Sequence, residues 1–156
     1  MQRTILIGFA ITLLTGGVVT VLAVAEGGAA AEDAERDEIR RQALAYMEAY
    51  ERIELTAEQE RVRQEALGNV PAACCGDFPM ADCCCECNLS RTIWGLSKIL
   101  IAEEGRNAEE VRKAALDWVR RINPDGWSGQ ACYTGGCGRP FHQDGCGGMQ
   151  AERLIS

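Results

Sequence analysis

The chain has 156 residues, 47% hydrophobic and 25% charged, which is the composition of one small globular unit and too apolar for intrinsic disorder. Lys and Arg number 16 against 23 Asp and Glu, a net charge of −7 that has the wrong sign for holding a phosphate backbone and excludes nucleic acid as a partner. Nine Cys stand against one His, so sulfur carries what is distinctive here.

In chain order, Arg3 precedes a run from Ile5 to Ala25 that contains no charge. At about 1.5 Å per residue this run reaches roughly 31 Å, enough to cross a hydrocarbon core. Ala23-Val24-Ala25 also has the small-x-small pattern of a signal-peptidase site. Residues 1–25 therefore read as an export segment, either a cleaved signal peptide or a retained transmembrane helix. No Cys follows closely enough to serve as a lipoprotein anchor. The rest is expected in a periplasmic or other extracytoplasmic compartment, where disulfides form.

Residues 26–35 are Gly/Ala/acidic without apolar periodicity and are expected to be a linker. A helical domain should then occupy residues 36–126. Ile39, Ala43, Tyr46, Met47, Tyr50 and Ile53 recur at helical spacing and form the apolar face of a first long helix. Thr56-x-x-Gln59 is a capping box that restarts a short helix ending near Gly68. Residues 74–87 read as a cysteine loop. A third helix follows, capped by Asn88 or Ser90, with Leu89, Ile93, Leu96 and Leu100 as its stripe and Gly105 at its end. Asn107-x-x-Glu110 caps a fourth, with Val111, Ala115, Trp118 and Ile122 inward. Residues 127–156 are a Cys/Gly-rich irregular tail, expected to pack on the same domain and to need a stronger pin than its apolar content. The fold class is thus mainly α, a small helical bundle with a cysteine-rich loop and an irregular tail.

The loop holds Cys74, Cys75, Cys83, Cys84, Cys85 and Cys87, all disulfide candidates. Neighbouring Cα atoms sit about 3.8 Å apart, below the usual disulfide range, so adjacent cysteines should find partners elsewhere. Cys84-x-x-Cys87 before a helix start is also a redox-dithiol arrangement. Yet between Arg63 and Arg91 the only charges are Glu65, Asp77, Asp82 and Glu86, a field that weakens a thiolate nucleophile and attracts a metal cation.

Cys85-Glu86-Cys87, a helix, and then Glu104-Gly105-Arg106-Asn107-Ala108-Glu109-Glu110-Val111 together resemble the thiol subunit of bacterial cytochrome c maturation, the CcmH family. In that family a two-cysteine motif precedes a helical hairpin with a Gly-x-Ser-x-Glu-Glu turn. The resemblance covers residues 83–122. It implies a small exoplasmic three-helix unit and a redox role for Cys84 and Cys87. Cys74, Cys75, Cys83 and Cys85 have no counterpart in it.

Cys132-x4-Cys137-x4-His142-x3-Cys146 gathers three sulfurs and the single histidine among several glycines, the ingredients of a four-ligand zinc site. The set is similar to a zinc knuckle, with a first gap two residues longer and a last gap one shorter. Zinc is the expected metal. Copper is the alternative, since Met80 and Met149 flank the two clusters and soft thioethers suit Cu(I). All-disulfide pairing remains open as well, but nine is odd, and at least one thiol must ligate, react or bridge to another chain. One arrangement uses every sulfur: three disulfides among the six loop cysteines, and Cys132, Cys137, His142 and Cys146 on one ion.

These features point to an exported cysteine-rich binding or structural module, stapled by disulfides and holding one soft metal ion, rather than an enzyme. Two alternatives stand beside it. One is a periplasmic thiol-disulfide oxidoreductase acting through Cys84 and Cys87. The other is an accessory subunit of a membrane complex, with a membrane partner if the N-terminal helix is retained.

Overall fold

The computed structural model describes residues 26–150. The export segment expected at residues 1–25 lies outside the described residues. Among the described residues, no helix is long and apolar enough to cross a membrane.

The architecture of the described residues is mainly helical, with four helices: α1 (Glu26–Arg52), α2 (Ala57–Leu67), α3 (Asn88–Lys98) and α4 (Ala108–Ile122). Between α2 and α3 the chain makes a two-stranded antiparallel hairpin, β1 (Pro71–Ala72) and β2 (Cys75–Pro79), and a single 3-10 turn at Met80–Asp82. Helix α3 runs on into a wide π turn, Ile99–Glu103, which Gly105 closes with φ +66°.

The expected apolar faces are the buried ones. Ile39, Ala43 and Met47 of α1 enter one core with Leu89, Ile93 and Leu96 of α3 and Val111, Ala115, Trp118 and Ile122 of α4, and Ile53, just past the end of α1, is buried as well. Both capping boxes form, at Thr56 with Gln59 and at Asn107 with Glu110. Helices α1 and α3 pack very closely because Gly95 has no side chain. A Cβ there would stand 1.7 Å from the carbonyl oxygen of Tyr46, closer than any contact atoms tolerate. Every tryptophan N–H finds an acceptor: Trp94 at Met80 O (2.9 Å), Trp118 at Thr92 Oγ1 (3.0 Å) and Trp127 at Val119 O (3.2 Å).

Three expectations need correction. Residues 26–35 are not an unstructured linker but the first turns of α1, and residues 28–35 are exposed throughout. Ala and Glu are strong helix formers, so the segment is helical without burying a face, and the Arg121 Nε–Glu35 Oε1 ion pair (2.8 Å) ties it to α4. The cysteine loop is not irregular throughout, because its first half is the hairpin. The short β1 and the bulged register between Pro71 and Ala72 left no alternation to read.

The third correction concerns the start of α3. Cys87, not Asn88 or Ser90, is the N-cap residue, and it makes no side-chain capping bond. Chain elements from far away satisfy the free N–H groups instead. Asn88 N donates to Gly148 O (2.8 Å) and Leu89 N to Cys146 O (3.1 Å). The Asn88 side-chain amide adds bonds to Gly147 O (2.7 Å) and Gln150 O (2.8 Å). The C-terminal tail is therefore the cap of α3.

The same tail has an apolar anchor of its own, beyond what its composition led us to expect. Phe141 is fully buried, with the Trp127 ring 6.5 Å away. Gly147, at φ +72°, packs so tightly on Phe141 that a Cβ would lie 2.4 Å from the ring.

Candidate metal centre

The tail lands on the cysteine loop twice, and each landing delivers one sulfur. At the first, Gly76 N donates to Gly129 O (2.8 Å) and Cys132 N to Cys74 O (3.2 Å), so residues 129–132 run beside the hairpin. Cys132 thereby joins Cys75 and Cys84, and the three sulfurs lie within 4.8 Å of one another. At the second, the Leu89 N to Cys146 O bond sets Cys146 at the head of α3, next to the N-cap Cys87.

The first group is an open site. Cys75 is buried, Cys132 half-buried and Cys84 exposed, so one side faces solvent. Cys84 Sγ and Cys75 Sγ are 3.8 Å apart. That is far from a disulfide bond of about 2.0 Å. It equals the edge of a tetrahedron with metal–sulfur bonds of about 2.3 Å, which is about 3.8 Å. A second triad, Cys83, Cys84 and Cys85, shares Cys84. These cysteine clusters are near enough to hold a metal ion.

Two oxygens border the open site. Cys75 Sγ donates to Tyr133 Oη (3.8 Å), and that hydroxyl donates to Asp77 Oδ2 (3.0 Å). The chain sulfur–phenol–carboxylate orients Cys75 in the way that outer partners fix metal ligands. Contact with Cys75 and then with Asp77 pushes the Tyr133 phenol above its ordinary range. Asp77 was legible in the sequence only as one of four local acidic charges, and Tyr133 only by adjacency to Cys132, which is a weak signal.

The electrostatics of the thiols follow from crowding. Burial, then the charge that Cys84 and Cys75 would carry, pushes Cys132 up to about 12. Cys83 is supported by Cys74, but contact with Cys87 and burial outweigh this and leave it at about 11. Burial and the surrounding sulfurs likewise raise Cys85. Without a cation, such thiols stay protonated and unreactive near neutral pH. Cys87 is the exception, held low by bonds from Cys146, Cys74 and Cys83.

The sequence-expected set Cys132, Cys137, His142 and Cys146 is dealt out differently. Cys132 goes to Cys75 and Cys84, and Cys146 to the head of α3, where its carbonyl accepts Leu89 N. Cys137 is exposed, and its carbonyl, not its sulfur, meets Cys146 Sγ at 3.3 Å. His142 is exposed on the turn Phe141–Gln143, with its Nε2 beside Gln143 Nε2 at 3.3 Å. The physical reason is the fold of the tail, whose backbone bonds to the hairpin and to α3 carry its cysteines to the loop rather than to each other. All nine cysteines are free thiols, so none of the loop candidates Cys74, Cys75, Cys83, Cys84, Cys85 and Cys87 is in a disulfide. Cys84 and Cys87 face separate groups: Cys84 meets Cys75 on the exposed side, and Cys87 is fully buried.

No known family model matches the chain, and no curated protein or solved structure is similar to it.

Proposed function

We propose that this protein is an exported metal-binding module whose functional ion sits on Cys75, Cys84 and Cys132, and that it is not an enzyme. The single observation that carries the reading is the convergence of three sulfurs from three separate chain segments, with Cys75 and Cys84 at 3.8 Å. Thiolates from separate segments, oriented by Tyr133 and Asp77, favour a soft divalent cation over thiol exchange. Zinc is the ion proposed, with its fourth position open on the exposed side beside Cys84. Cu(I) is the second choice, since soft thiolates suit that ion as well as zinc.

The separation of Cys84 from Cys87 weighs against a dithiol oxidoreductase acting through that pair. If residues 1–25 remain attached, the module would sit at a membrane surface, where an accessory role in a membrane complex fits a small single-site domain.

The test is elemental analysis with a thiol count on the purified full chain. Near-stoichiometric zinc or copper, lost on chelation, supports the reading. Absence of metal, with a mixed disulfide trapped when either Cys84 or Cys87 is replaced by Ser, would overturn it in favour of thiol exchange.

A further inference from the structure

We infer that the open site is half of a two-ion cluster: a second divalent soft cation, zinc, binds Cys83, Cys84 and Cys85, and the Cys84 thiolate bridges it to the ion on Cys75, Cys84 and Cys132. The inference rests on the open site proposed above and adds to it a second ion, a shared ligand and two further ligands, Cys83 and Cys85.

Five sulfurs fall into two groups of three. Within each group every sulfur lies within 4.8 Å of the other two, and Cys84 alone belongs to both. Two zinc–sulfur bonds of about 2.3 Å span at most about 4.6 Å, so a small inward shift lets one ion close each triad. Cys84 Sγ and Cys75 Sγ, at 3.8 Å, already stand at the tetrahedral edge. A thiolate keeps lone pairs after it has bound one cation, and Cys84 is the exposed member of both groups, where a second ion can reach it.

The backbone explains why three consecutive sulfurs converge. In an extended chain successive side chains point to opposite sides, so Cys83, Cys84 and Cys85 could not share one ion there. The chain bends at Cys84 and Cys85 instead. The bend is held from both ends. Before it, Arg63 Nη1 donates to Ala81 O at 2.8 Å, and after it the buried Ser90 Oγ lies 2.9 Å from both Cys85 O and Cys87 O. Ligands already fixed by their surroundings bind without first ordering the loop.

Charge favours sharing. Five thiolates against two dications leave one net negative charge, whereas two three-sulfur centres with no common ligand would leave two. No basic residue lies between Arg63 and Arg91 to offset the larger excess. Loading releases five protons to solvent and forms six zinc–sulfur bonds, two of them to Cys84. No electrons move.

The experiment uses the full chain, kept reduced, titrated with zinc and separately with cobalt(II). Two ions per chain are expected. Cys132→Ser and Cys83→Ser should each retain one ion, and Cys84→Ser should weaken both by at least about 10-fold. Cys85→Ser should behave as Cys83→Ser and guards against a folding defect in either variant. A shared sulfur couples the spins of two cobalt ions, so the paramagnetic resonance per ion of the fully loaded parent chain should fall well below that of Cys83→Ser holding one. Two ions that each give full resonance overturn the bridge and leave the open site standing. One ion in the parent chain, lost in Cys132→Ser and kept in Cys83→Ser and Cys85→Ser, overturns the second ion and likewise leaves the open site standing. One ion in the parent chain that survives Cys132→Ser, or no ion at all, overturns the open site and the cluster with it.

Discussion

The side-chain amide of Asn88 donates to the carbonyl of Gly147 at 2.7 Å, joining the first turn of α3 to a tail residue 59 positions away. The same nitrogen reaches Gln150 O, while Asn88 Oδ1 is buried without a partner. The donor half of this amide is thus what matters. Asn88→Ala should lower stability by about 2 kcal/mol through two lost bonds, one of which leaves the buried Gly147 carbonyl short. Asn88→Asp should be worse than Ala, because it removes the same donors and adds a buried charge. Urea unfolding of the two variants checks the order, and limited proteolysis should cut the tail first in both.

Gly95 lies where α3 crosses α1, with no room for a methyl group before Tyr46 O. Gly95→Ala gains helix propensity of about 1 kcal/mol but must push the helices apart, at a cost of about 1–3 kcal/mol or more. The expected outcome is net destabilisation with weakened near-UV dichroism, since the Tyr50–Trp94 contact at 5.5 Å lies in the same crossing. A neutral or raised melting temperature would refute this account of the packing.

Cys132 and Cys137 are close in sequence but differ in surroundings. Cys132 belongs to the open sulfur group, whereas Cys137 is exposed and offers its carbonyl rather than its thiol to Cys146. Cys132→Ser should weaken metal binding at the open site by at least 10-fold, in line with the loss of one ligand of a tight site. Cys137→Ser should leave affinity unchanged. Competition with a chromophoric chelator measures both.

Glu110 accepts Asn107 N at 3.1 Å in the α4 capping box and pairs with Arg106 at 3.0 Å. The backbone bond first, then Arg106, holds its carboxyl below the usual value of 4.5. A depressed folded value means stabilisation that is present above pH 4.5 and is lost as pH falls below it. The melting temperature of Glu110→Gln should accordingly fall less than that of the parent chain on acidification through this range.

Local signals in the sequence were reliable. Thr56 with Gln59 and Asn107 with Glu110 act within one helical turn, and the stripes of α1, α3 and α4 needed only a count of three and four. What could not be read was anything the tail brings from afar. Asn88 has the chemistry of a cap, yet carbonyls some 60 positions later fill that role and free its amide for other work. The grouping of Cys132 with Cys75 and Cys84 depends on backbone bonds at Gly129 and Cys132, and these leave no mark in composition.

The late arrival of the tail gives synthesis of this chain a fixed order. While a ribosome is still making residues beyond α4, the first turn of α3 has no carbonyls to accept its N–H groups, and six thiols between residues 74 and 87 stand bare. Closing so large a loop is slow relative to forming helices. The nascent chain is most vulnerable to stray oxidation in that interval, and a chain cut short before residue 146 would leave α3 uncapped however well its helices had formed.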